Sequence, residues 1–128
     1  MVYTVWETRP LYAAITTRLE TTGMAVGQAI SPGGNPPYLV LYPQSDAGTE
    51  GSIGDPHQFV AQTFQVTAVG DDMEEAQWAQ HKARVVLLGW IPNIAGAMPI
   101  SLDFGSGVFR DPDGPVFYST DRFRISLG

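Results

Sequence analysis

The residues of this sequence whose types could carry chemistry are His57 and His81, the carboxylates at 71, 72, 74 and 75, the run Gly105-Ser106-Gly107 and the run Asp111-Pro112-Asp113-Gly114. Paired carboxylates can serve as general acid and base, but Asp72 and Glu75 stand at the spacing of a helix capping box. A first turn is also where a helix dipole favours negative charge, so capping accounts for all four acids. Gly105-Ser106-Gly107 lacks the flanking glycines and lysine of a phosphate cradle and reads as a turn. Asp111-Pro112-Asp113-Gly114 opens like a calcium loop. Arg122 occupies the place where that loop needs its bidentate glutamate, so a tight turn fits better.

Each histidine stands alone, without a second histidine at helical or turn spacing, so a metal site would need ligands from remote segments. The chain has no cysteine, which removes disulfides, thiolate metal sites and thiol nucleophiles together, and no Gly-x-Ser-x-Gly elbow is present. These residues therefore imply no catalytic, cofactor-binding or metal site. The one enzymatic alternative is a small α+β enzyme or ligand-binding domain whose site combines His57, Asp55 and the stretch 105–110.

The elements follow from periodicity. Residues 9–22 predict a helix with Leu11, Ile15 and Leu19 on one face, Arg18 and Glu20 toward water, and Gly23 as its cap. Residues 24–30 and 38–42 predict strands, read as a hairpin around an irregular turn at 31–37. The stretch 44–57 is glycine-rich and acidic without Lys or Arg, and reads as a long exposed loop. Residues 59–69 alternate as a central strand, and 73–88 predict a second helix whose stripe runs Met73, Ala76, Ala79 or Gln80, Ala83 and Leu87, with Gly89 as its cap. A short strand at 98–102, another at 107–110, a turn at 111–114 and a closing strand at 116–127 complete the order. Phe123, Ile125 and Leu127 alternate against Arg122, Arg124 and Ser126 so regularly that the closing segment must be paired in a sheet. The fold class is α+β: a mixed, mainly antiparallel sheet with two helices packed on one face.

At 128 residues the sequence suits a single domain spanning 1–128, able to bury roughly two-thirds of its unfolded surface. Thirteen acidic and seven basic side chains give a net charge of −6, which argues against an ordinary nucleic-acid-binding domain. No apolar run reaches membrane-spanning length, and residues 1–10 lack the basic start and apolar core of a signal peptide.

Four segments in fixed order then suggest a family: PYLVLYP (37–43), a Gly/Asp-rich stretch ending GDPHQFVAQTFQVTAVG (54–70), EEAQWAQHKARVVLLG (74–89) and SGVFRDPDGPVFYSTDRFRI (106–125). Together they resemble the tail terminator, or tail completion, proteins of long-tailed bacteriophages, especially the small acidic versions of actinobacteriophages. The resemblance implies a homohexameric ring that caps the head-proximal end of the tail tube, ends tube polymerisation and joins tail to head. Its implied partners are further copies of itself, the major tail tube protein and a head–tail connector or stopper protein, with DNA crossing the lumen unbound. Its implied place is the virion, at the head–tail junction, after assembly in the host cytoplasm. No catalytic residue, cofactor, metal or membrane is implied. The nearest alternative is another connector ring, a head completion or stopper protein.

Only structural roles carry over from that family: Phe64, Val66 and Val69 as central-strand core, 121–123 as the last-strand signature, and 44–57, with Asp46, Glu50, Asp55 and His57, as an assembly loop that orders on contact. The residues add their own interface candidates. Trp78 lies off its helix stripe, where it either covers the sheet edge or enters a subunit interface. Arg84 joins it, and replacing either by Ala is expected to leave the fold intact while weakening assembly. Arg122 forms an ion pair either within the subunit or between subunits.

Overall fold

Gly23 and Asp72 mark where the two helices stop and start. The computed structural model describes residues 8–43 and 60–127; the stretch 44–57, with Asp46, Glu50, Asp55 and His57, lies outside them. Helix α1 (Thr8–Glu20) buries Leu11, Ile15 and Leu19, and Gly23, at φ +88°, donates its N–H to the Glu20 carbonyl at 3.0 Å. A positive φ costs glycine nothing, so the chain can turn back there. Helix α2 (Met73–Leu87) begins on Asp72, whose carboxylate accepts the Glu75 N–H at 2.7 Å, while the Glu75 carboxylate accepts the Asp71 N–H at 2.8 Å. These bonds satisfy backbone donors that no helical turn reaches.

The sheet contains β1 (Ala25–Gln28), β2 (Tyr38–Pro43), β3 (Val60–Gly70), β4 (Ser101–Gly105), β5 (Phe109–Arg110) and β6 (Phe117–Leu127). Its spatial order is β1-β2-β3-β6-β4, with β5 also pairing on β6 beyond β4. All pairings are antiparallel except β1 with β2. Two helices on one face of a mixed, mostly antiparallel sheet make this an α+β fold. The closing segment is interior rather than peripheral: β6 pairs along its whole length with β3 and carries β4 and β5 on its other side.

Strand alternation decides the layers. Phe64, Val66 and Ala68 on β3, Leu39 and Leu41 on β2, and Phe123 and Ile125 on β6 point to the helix side. There they meet Leu11, Ile15 and Leu19 of α1 and Ala79, Ala83 and Leu87 of α2. The alanines of α2 let its backbone approach the strands, and at Gly70 an added Cβ would collide with the backbone of Ala76. The strand can thus pass directly into the cap and first turn of α2 without steric conflict.

Several expectations are corrected. Strands β1 and β2 do not form a hairpin: they run parallel, with Ala25 opposite Tyr38 and Gln28 opposite Leu41. The chain returns along this short pair through residues 29–37, where Ala29, Gly33 and Gly34 take positive φ. A strand of only four residues spans roughly 13 Å, so nine residues can make a crossover that ordinarily needs a dozen or more. Met73 is exposed rather than on the α2 stripe. Arg18 does not point into water; its Nε donates to the Val86 carbonyl at 2.7 Å and its guanidinium lies 5.1 Å from the Trp90 ring centre. Val69 is buried, but on the face opposite Phe64 and Val66, as its odd position in the strand dictates. The short strand expected at 98–102 runs instead at Ser101–Gly105, because Ile100 is held by backbone bonds to Gly89 and Trp90.

Phe64 and Phe123 lie directly opposite each other, with ring centroids 5.5 Å apart and planes 20° from parallel. Both are fully buried. Replacing either by Ala is expected to cost about 3–5 kcal/mol in urea unfolding, and the double variant less than the sum of the singles, because the first truncation already breaks the stack.

Candidate functional site

Among polar side chains in the helix–sheet layer, Asp121 has the most crowded environment. It shares strand parity with Phe123 and Ile125, so its carboxylate is driven into the core, where it is 2% exposed. Arg84 Nε donates to Oδ2 at 2.7 Å and Arg84 Nη2 to Oδ1 at 2.8 Å, while Gln80 Nε2 donates to Oδ1 at 2.9 Å. Gln80 also donates to the Ser106 carbonyl, which ties the β4–β5 connection to α2. At Gly105 an added Cβ would press on both Arg84 Nη2 and Asp121 Oδ1, so this glycine makes room for the ion pair. The hydrogen bond to Asp121 raises the Arg84 pKa above its ordinary value, against the opposing effect of desolvation. A raised folded pKa leaves the pair's contribution complete below arginine's unfolded value. Arg84's share of it is lost only as pH climbs through the still higher folded value.

The cluster holds an acid and a base that neutralise each other. Arg84 is therefore engaged inside the subunit, and the expectation that its loss spares the fold is corrected. Arg122, one residue on, points to the other face and donates through Nε to Asp103 Oδ2 at 2.8 Å, across the irregular register of β4. Of the two pairings the sequence left open, the structure contains the one within the subunit; both partners are partly exposed, and such a pair is worth at most about 1 kcal/mol. Trp78 is 44% exposed, and Lys82 Nζ lies 5.7 Å from its ring centre. His81 is exposed on the same helix.

The turn reading of the run at 111–114 holds, whereas Gly105 closes strand β4 and Ser106-Gly107 leads on to β5 without a turn. Ser106 exchanges backbone and hydroxyl bonds with Thr120, and Asp111 accepts the Gly114 N–H through its carbonyl and the Asp113 N–H through its carboxylate. Among the described residues no cluster of three or more His, Asp or Glu side chains could hold a metal ion. No helix there is long and apolar enough to cross a membrane.

The face of the sheet away from the helices buries Val40 and Val69 and leaves Tyr42 exposed. It forms a shallow hollow of about 520 Å³ whose lining includes Tyr38, Tyr42, Val69, Val116 and Tyr118. Sequence reasoning did not assemble this surface, because its residues come from three strands and only their register brings them together. The Asp121 cluster, by contrast, had a visible signal: a carboxylate in the apolar phase of an alternating strand must find a buried donor.

With this geometry established, solved structures supply a comparison. The chain matches a chain of the virion of a native gene transfer agent particle with a TM-score of 0.70 and 19% identity, covering 91% of this chain and 93% of that one. The likeness is one of fold. A second solved chain matches with a TM-score of 0.59 and 17% identity, covering 95% of this chain and 96% of its own length. No family model matches the sequence, and no curated protein sequence matches it.

Arg84→Ala is expected to lower stability by about 3 kcal/mol in urea unfolding, since it strands the Asp121 carboxylate, and adding Asp121→Leu should recover most of that loss. Ser119 Oγ is buried without a partner among the described residues, so Ser119→Ala should raise stability by up to about 1 kcal/mol in the same assay.

Proposed function

We propose that this chain is a structural subunit of a phage-like virion, and specifically a tail terminator whose ring caps the head-proximal end of the tail tube. The observation that carries the reading is the end-to-end fold likeness to a chain of a gene transfer agent virion. The four sequence segments resembling tail terminators narrow the role within the virion. The described surface is consistent with a protein that works by contact: it has a tyrosine-lined hollow on the sheet face away from the helices and exposed aromatics at Trp78, Phe104 and Phe109.

Termination in this reading is geometric. Each subunit presents two different side surfaces, so repeated head-to-tail contacts close into a ring. One rim of that ring matches the growing tube, while the other lacks a tube-like surface and meets the connector instead. A net charge of −6 per subunit keeps DNA from adhering as it crosses the lumen.

Mass photometry of the purified protein, alone and with purified tail tubes, should show particles of six subunits. Tubes incubated with the protein should stop elongating and bind connector-bearing heads. Binding to filled heads but not to tubes would reassign the ring as a head completion or stopper protein. A protein that stays monomeric on both overturns the reading.

A further inference from the structure

Two exposed patches on opposite sides of the subunit are complementary. The first is a shallow hollow of about 500 Å³ between the start of β2 and the first turns of α2, lined by Pro37, Asp72, Glu74, Glu75 and Trp78. The indole is a broad exposed wall of this hollow. The Asp72 and Glu75 carboxylates already accept capping bonds, whereas Glu74 is exposed and enters no hydrogen bond or ion pair among the described residues. The second patch is the two-residue strand β5 at the far edge of β6. Arg110 is exposed and, among the described residues, in neither ion pair; Phe109 is 54% exposed, with its ring centroid 6.1 Å from that of Tyr118.

Register puts both patches at one level of the sheet. Arg110 lies opposite Phe117, Phe117 lies opposite Gly70, and α2 begins three residues after Gly70. Parity also places Arg110 on the helix side of the sheet, the side on which the hollow opens. Copies in a closed ring are related by rotation without translation, so for an axis along the strands any two patches that meet must share a height. These two do.

We propose that adjacent copies join through these patches, Arg110 of one copy entering the hollow of the next between Trp78 and Glu74. The proposal rests on the ring reading above and names the contact that builds the ring. Guanidinium chemistry suits the hollow: the planar group stacks on an indole face while its N–H groups are shared with a carboxylate. A heterologous contact of this kind also leaves each copy with one free hollow and one free arginine until the ring closes, which favours a closed ring over an open chain.

The test is a charge exchange read by mass photometry across a concentration series. Arg110→Glu and Glu74→Arg should each raise the concentration for half-assembly by about tenfold or more, and the double exchange should restore it to near the parent value. Both positions are exposed, so each variant should stay folded, with Glu74→Arg lowering the melting temperature only by the small helix-dipole contribution of a first-turn acid. Because the chain lacks cysteine, a second variant, Trp78→Cys with Arg110→Cys, gives an independent reading: a bifunctional thiol cross-linker long enough to span the reach of both original side chains should link copies into closed rings, while either single substitution links none. Single exchanges that assemble like the parent, a double exchange as defective as the singles, or a cysteine pair that fails to cross-link an assembled ring would overturn this contact and leave the ring reading standing. A parent protein that forms no ring, alone or on tail tubes, overturns both.

Discussion

The pairing of β3 with β6 is the interaction on which the rest depends. Eleven successive residues of one strand face eleven of the other, from Val60 opposite Leu127 to Gly70 opposite Phe117. The two strands are far apart in sequence, so this ladder closes the largest loop in the sheet and every other pairing attaches to it. Strand β2 joins along β3, β4 and β5 join along β6, and α2, the segment between them, lies across both. The stacked Phe64 and Phe123 fix the register, since a slip of β6 by one residue would turn the Phe123 ring to the opposite face and bring Arg122 and Arg124 into the core.

That register also explains why the subunit has two unlike surfaces. Its inner phase must be apolar or internally satisfied, which is why Asp121 exists only together with Arg84, Gln80 and the absence of a side chain at Gly105. Its outer phase is free of that demand and carries Thr, Gln and Tyr side chains, with Arg122 balanced by Asp103 at the sheet's edge.

The short edge strands add to this. Strand β4 is exposed along its length, and β5 is only two residues long, so neither presents a long flat edge for indiscriminate pairing. Exposed aromatics beside short edges provide contacts that are specific through shape and charge rather than through open-ended β-addition.

Much of this was legible in the residues themselves. The order of helices and strands follows from period and caps: Leu11, Ile15 and Leu19 at four-residue spacing, Asp72 with Glu75, Gly23, and the alternation through Phe123 and Ile125. These signals are local, and local backbone preferences suffice to produce them. The parallel return from β1 to β2, the placement of Val69 on the outer face, and the assignment of Arg84 to Asp121 were not legible, because each depends on which strand lies beside which. What the sequence by itself determined was therefore the order of the elements and most of their buried phases. Only the tertiary structure decided which charges are internally matched and which remain at the surface, because a side chain's partner is fixed by register between distant segments and not by its neighbours along the chain.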